Sequence, residues 1–164
     1  MASQTASSNR ATSAGSDERN GIDYSMLQSR LGYKLRRAQM VYFDVFFEAC
    51  AQEGITPGLF SILAIIYHNP GLTQSAVSVA LDVDRSAMVA AIDKLESLEV
   101  VERRKSQHDR RSYALYLTNQ GKAFTERLNR KVVSGEEGFD TFMKEGEREW
   151  LLDILDRIIE ARKK

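Results

Sequence analysis

Five basic residues, Arg103, Arg104, Lys105, Arg110 and Arg111, fall within nine positions against one acid, Asp109. Guanidinium groups at that density seek phosphate, and a carboxylate beside them can pair with an arginine and fix its direction. Just upstream, helical spacing puts Arg85, Ser86, Val89, Ala90, Asp93 and Ser97 on one face, with Lys94 at its flank. A guanidinium, a small hydroxyl and two compact apolar groups suit the major groove of DNA. Arg85 can reach guanine or phosphate, Ser86 a donor or an acceptor, Val89 or Ala90 a thymine methyl, and Lys94 a phosphate. A third set lies nearer the start. Arg30, Lys34, Arg36 and Arg37 stand between Asp23 and Asp44 with no acid among them, and Arg36 shares a helical face with Tyr33, Met40, Phe43 and Phe47. Cations beside an aromatic wall suit an anionic aromatic ligand, with rings for stacking and a guanidinium for a carboxylate or phosphate. The same aromatics also suit packing between helices, and the same arginines suit solvent or DNA phosphate.

These groups need elements to hold them. Residues 22–53 carry two helical stripes, one through Leu27, Leu31, Leu35, Ala38, Tyr42, Val45 and Ala49, the other through the aromatic face above. Gly54 ends that helix. Thr56-Pro57 supplies an N-cap and a first-turn proline for a helix to His68, and Asn69-Pro70-Gly71 breaks the chain again. Thr73 to Leu81 reads as a brief helix, and Asp84 caps the next, which runs to about Leu98 and buries Met88, Ala91, Ile92, Leu95 and Leu98. Val101–Lys105 and Ser112–Leu117 read as two strands. Thr118 caps a helix to about Ser134, Gly135 to Gly138 breaks it, and a last helix over about 145–162 carries Leu151, Ile154, Leu155, Ile158 and Ile159. Two short helices followed by a basic β-hairpin are the layout of a winged helix-turn-helix. One segment then has a helix sized for the major groove and an arginine-tipped finger sized for the minor groove.

Composition bounds the function class. A chain of 164 residues with 43% hydrophobic content suits one sizeable core. The formal net charge is zero, yet residues 136–160 hold nine acids against three bases, so the positive charge is concentrated in the hairpin. Residues 1–21, rich in Ser, Ala, Thr and Asn, are expected to be a disordered tail and carry no signal-peptide-like apolar stretch. No apolar run is long enough to span a bilayer, which with the single cysteine points to the cytoplasm. Cys50 lacks a neighbouring base to activate it, favouring an inert thiol over an oxidant sensor. His68 and His108 stand forty residues apart without matching ligands, so no metal and no cofactor are expected. With no Gly-x-Ser-x-Gly elbow, phosphate-cradling glycine loop or metal quartet, an enzyme is not expected.

The stretch GLTQSAVSVALDVDRSAMVAAIDKLESLEVVERRKSQHDRRSYALYLTNQGK resembles the DNA-binding core of the MarR family of transcription regulators. The likeness is carried by Leu95-Glu96, Val101-Glu102-Arg103, the Asp-x-Arg signature at Asp109 and Arg111, and Leu117-Thr118-x-x-Gly121. It extends over roughly residues 24–162, and departs at Val100, where the family usually has glycine. The resemblance implies a mainly α fold with a small β-hairpin wing: a winged helix-turn-helix over 56–118 and dimerisation helices over 22–53 and 119–164. It implies a homodimeric repressor of a pseudo-palindromic double-stranded DNA operator, relieved by a small ligand. Arg85, Ser86, Val89, Ala90, Lys94, Arg103, Arg110 and Arg111 are then the DNA contacts, with Asp109 orienting Arg111 in the minor groove. Leu35-Arg36-Arg37-Ala38-Gln39 with the aromatic run is similar to the CouR and FerC branch, which controls hydroxycinnamate breakdown and senses the acyl-coenzyme A thioester. Tyr33, Arg36, Arg37, Met40, Phe43 and Phe47 are the corresponding ligand residues. A sensor of a free phenolic acid or an oxidant, or a winged helix that binds only protein, remain the alternatives.

Overall fold

A computed structural model describes residues 22–105 and 113–161. The expected tail, residues 1–21, lies outside them, as do Asp109, Arg110, Arg111 and Arg162. Among the described residues the chain is helical apart from one antiparallel hairpin. The residues up to Val41 form one compact unit and those from Tyr42 a second.

The first unit holds α1 (Ser25–Gln28) and the beginning of α2 (Leu31–Cys50). The stripe expected to run unbroken from Leu27 is interrupted at Ser29 and Arg30. The Tyr24 carbonyl accepts from Leu27 N at 2.8 Å and Gln28 N at 3.0 Å, and the helix restarts with Lys34 N on the Arg30 carbonyl at 3.1 Å. Ser29 and Gly32 are weak helix formers, so the short turn loses little to a break here.

The second unit has one core. The remainder of α2 contributes Phe46 and Cys50, which are buried, although the sequence stripes favoured their neighbours. Gly54, at φ 62°, turns the chain into α3 (Pro57–His68), whose N-cap Thr56 accepts from Leu59 N. The apolar α3 buries Leu59, Ile62, Leu63 and Ile66 against α4 (Gln74–Ala80), the hairpin and α6 (Asn119–Asp140). Each fully buried aliphatic side chain of this kind contributes about 1.5–3 kcal/mol of transfer free energy.

Two caps build the helix-turn-helix. At the end of α4, Asp82 N bonds the Val79 carbonyl and Val83 N the Ser78 carbonyl, with Asp82 left-handed at φ 50°. Asp84 then caps α5 (Arg85–Ser97) by accepting from Ser86 N at 2.7 Å. The end of α5 repeats the device. Glu99, at φ 57°, bonds the Glu96 carbonyl, and Val100 N bonds the Leu95 carbonyl. This is the paired closure of a Schellman motif. The left-handed residue is Glu99, so Val100 serves as the buried closing contact and the turn tolerates its lost glycine. Of the five residues expected inside from α5, Met88, Ile92 and Leu95 are buried and Ala91 half-buried, but Leu98 is exposed, because it is the C-cap at the helix end.

Strands β1 (Val101–Lys105) and β2 (Tyr113–Leu117) pair antiparallel from Val101 opposite Leu117 to Lys105 opposite Tyr113. The other edge of β2 is covered by the chain after α3, with Gly71 N on the Leu115 carbonyl and Leu115 N on the Leu72 carbonyl, both at 2.8 Å. Thr118 caps α6 and ties it to the hairpin: its Oγ1 accepts from Gly121 N at 2.8 Å and donates to the Glu99 carbonyl at 2.7 Å. A Cβ on Gly121 would stand 1.9 Å from the Val100 carbonyl oxygen, so that close approach requires glycine.

The expected break at Gly135 to Gly138 does not occur. Helix α6 runs through both glycines to Asp140, and α7 (Glu147–Ala161) follows. A Cβ on Gly135 would meet Val45 Cγ1 at 3.2 Å, so close packing on α2 gives this glycine a role inside a helix. That packing offsets the roughly 1 kcal/mol by which glycine disfavours a helix.

Candidate nucleic-acid interface

Helix α5 presents the surface expected of it. Arg85, Ser86, Val89, Ala90 and Lys94 are all exposed, opposite the buried Met88, Ile92 and Leu95. Val89 stands 44% exposed, an apolar side chain kept on the outer face. The Ser86 hydroxyl donates to Asp84 Oδ1, so its oxygen is held to accept from an outside donor. That bond, with the N–H groups of Ser86 and Ala87, holds the Asp84 carboxyl below its usual range and keeps the cap charged. The Lys94 ammonium donates to the Gly54 carbonyl at 3.1 Å, which steers its stem while leaving the head in water.

The basic hairpin divides in two. Arg103 does not stand free for phosphate as expected. Its guanidinium donates to Glu96 Oε2, to Asp93 Oδ1 at 2.7 Å and to Gln74 Oε1 at 3.3 Å, while its backbone N–H donates to Glu96 Oε1 at 3.1 Å. One side chain, 23% exposed, thus ties β1 to both helices of the helix-turn-helix. Gln74, Asp93 and Glu96 were not singled out as functional from the sequence; the signal was Leu95-Glu96 lying seven residues before an arginine on the next element. Arg104 donates to Glu102 Oε1 and lies 4.5 Å over the Tyr116 ring. Lys105 is exposed at the end of β1. Arg110, Arg111 and Asp109 belong to the seven residues between the strands that lie outside the described ones.

The six candidate ligand residues all belong to α2. Arg36, Arg37, Met40 and Phe47 are exposed, Tyr33 and Phe43 half-buried. Arg37 donates to the Tyr33 hydroxyl at 3.2 Å. Phe43 meets Phe47 edge to face, with ring centroids 6.3 Å apart, and Phe47 in turn meets the buried Phe46. Cys50 is fully buried, and burial pushes its thiol up from its ordinary value, which keeps it protonated and unreactive. No group of three or more metal-ligating side chains occurs among the described residues, and no helix there is long and apolar enough to cross a membrane.

Comparison with known proteins agrees with this geometry. The MarR family profile matches residues 53–112. A protein of Thauera aromatica, named as a transcriptional regulatory protein for the hcr operon, is 37% identical over 150 residues, 91% of this chain and 90% of that one. Among solved structures, the transcriptional repressor CouR bound to a 23-mer DNA duplex superposes with a TM-score of 0.80 at 33% identity, covering 84% of this chain and 98% of that chain. CouR bound to p-coumaroyl-CoA gives a TM-score of 0.77 at 31% identity, covering 84% and 97%. With its helix-turn-helix, braced hairpin and likeness to these regulators over nearly their full length, the chain belongs to the MarR family of transcriptional regulators.

Proposed function

We propose that this regulator is a repressor that binds a pseudo-palindromic DNA operator as a homodimer and is released by an aromatic acyl-coenzyme A thioester derived from a hydroxycinnamate. The observation that carries the reading is the likeness, above 30% identity over almost all of CouR, to one protein solved with both a DNA duplex and p-coumaroyl-CoA. The exposed outer face of α5 supports the DNA half. Arg85, Ser86, Val89 and Ala90 read base edges, and Lys94 contacts phosphate. Arg111 extends the contact into the minor groove with Asp109 orienting it, Arg110 adds a further DNA contact, and Arg103 holds the wing to the recognition helix. Two half-sites about 10 bp apart follow from a dimer that uses adjacent major grooves.

The α2 residues support the ligand half. Phe43 and Phe47 take the aromatic ring, with Tyr33 and Met40 beside them, while Arg36 and Arg37 meet the phosphates of coenzyme A. A buried, protonated Cys50 weighs against oxidant sensing. Release needs only a difference in affinity between two states, about 1.4 kcal/mol for each tenfold loss of operator binding. Calorimetric titration with p-coumaroyl- or feruloyl-coenzyme A, the free acids and free coenzyme A, alongside operator gel shifts, tests both halves. Thioester binding with loss of the shifted band is expected. Tight binding of the free acid alone would make the protein a phenolic-acid sensor, and no heat from any of them would end the aromatic reading.

A further inference from the structure

The proton of the Ser86 hydroxyl is already engaged. The hydroxyl donates to Asp84 Oδ1, and the same oxygen accepts from the backbone N–H of Ser86 at 2.7 Å and of Ala87 at 3.4 Å. These bonds hold the Asp84 carboxyl below its usual range, so the acceptor is a carboxylate at neutral pH. A hydrogen bond to a carboxylate is roughly twice as strong as one between neutral groups. Turning the hydroxyl toward guanine O6 or N7, or toward thymine O4, would exchange the stronger bond for a weaker one. A serine ordinarily reads donors and acceptors alike, but Ser86 is left to act through its lone pairs alone.

In the major groove two groups answer a lone acceptor, the N6 amine of adenine and the N4 amine of cytosine. The surroundings of Ser86 separate them. Val89 and Ala90 follow one helical turn along the same exposed face. An A·T pair sets the thymine methyl in the groove together with the adenine amine. A C·G pair has no methyl, and sets its amine beside guanine acceptors that an engaged hydroxyl does not satisfy. We propose that Ser86 selects an A·T base pair in each half-site, its oxygen accepting from adenine N6 while Val89 and Ala90 pack on a thymine methyl. Asp84 is the positioning residue, because it keeps the hydroxyl proton engaged. The assignment rests on the reading of α5 as the helix that enters the major groove, and adds to it the base that is read.

The test uses the full chain and a duplex that it selects from a randomised pool, with binding followed by fluorescence anisotropy. Each adenine of the selected site is replaced in turn by purine, which lacks the N6 amine and keeps N7, and each thymine by uracil, which lacks the methyl. At one adenine of each half-site, purine should weaken the parent by about fivefold or more, a loss absent from Ser86→Ala and retained in Ser86→Thr, which keeps the hydroxyl. Uracil at a thymine of the same or the next pair should weaken the parent and Ser86→Ala alike, since that contact belongs to Val89 and Ala90. Asp84→Asn keeps the capping oxygen without its charge, and should narrow the preference for adenine over guanine at that pair, a change that weakening of a helix cap alone would not produce. The Ser86 assignment is overturned if purine costs the parent and Ser86→Ala equally at every adenine, if the preference lost in Ser86→Ala is for any other base, if no uracil is felt, or if Asp84→Asn leaves the preference unchanged. A parent that selects no duplex, or whose base preferences survive Arg85→Ala as well as Ser86→Ala, would overturn the major-groove reading of α5 and the assignment with it.

Discussion

Two residues show how a single side chain, or its absence, decides a contact. Gly121 lets the start of α6 lie on the Val100 carbonyl, where a methyl group would sit 1.9 Å from backbone oxygen that cannot move without opening the hairpin. Gly121→Ala is expected to destabilise the protein by about 3 kcal/mol, the upper range for overpacking, read as a lower urea midpoint. Tyr42 is the second case. Burial, and then its 2.8 Å hydrogen bond to Glu136, pushes the phenol up to about 12. In the unfolded chain the same group titrates near 10. The unfolded state therefore releases its proton first. The stabilisation is complete below about pH 10 and is lost as the pH climbs toward about 12. Of the six tyrosines, Tyr42 should be among the last to ionise in an ultraviolet titration, and Tyr42→Phe should flatten the fall in stability across that window.

At the scale of elements, the two ends of α5 set the geometry of the proposed interface. Glu99 takes the left-handed position at which glycine costs least, and its side chain is exposed. Glu99→Gly should stabilise the fold by about 1 kcal/mol, since the left-handed penalty disappears while both closing hydrogen bonds remain. A loss of stability would mean that the Glu99 side chain has a role of its own. Arg103 and Lys94 separate positioning from phosphate contact. Arg103→Ala removes the tie between β1, Asp93, Glu96 and Gln74, and should weaken operator binding by about 2 kcal/mol. Its salt dependence should stay that of the parent. Lys94→Ala should instead lower the slope of log K against log salt by about one, whatever the duplex sequence. A reduced slope in Arg103→Ala would return that residue to the phosphate contacts.

The whole molecule leaves much apolar surface uncovered. Helix α7 has no buried residue; Trp150 is 65% and Ile159 58% exposed, with Leu151, Leu152 and Ile158 also open to solvent. Ile22, Met26, Leu27 and Leu31, near the start of the described chain, are exposed as well. Residues 27–49 and 151–159 are the surfaces proposed for the homodimer, because exposed apolar area of this extent favours a partner. Ile158→Asp should shift the protein to monomer in sedimentation velocity and abolish operator binding with the helical spectrum retained. A parent protein that sediments as a folded monomer at micromolar concentration would contradict the assembly.

What could be read from the sequence was local chemistry. Thr56, Asp84 and Thr118 each cap the helix that follows, and β1 spans the expected residues, because caps and strand alternation depend on neighbours within a few positions. The outer face of α5 was legible for the same reason: helical period alone separates Arg85, Ser86, Val89 and Ala90 from Met88, Ile92 and Leu95. Contacts between distant segments were not legible. Glycine pairs ordinarily signal a break, but Gly135 lies where Val45 and Ala49 of α2 pack against α6, and the helix continues. An arginine in a basic run ordinarily faces solvent, but folding brings Gln74, Asp93 and Glu96 around Arg103, and three acceptors outweigh a solvated guanidinium. Periodicity records which side of an element is apolar; only the packed chain decides which partner meets that side and which polar groups are drawn inward with it.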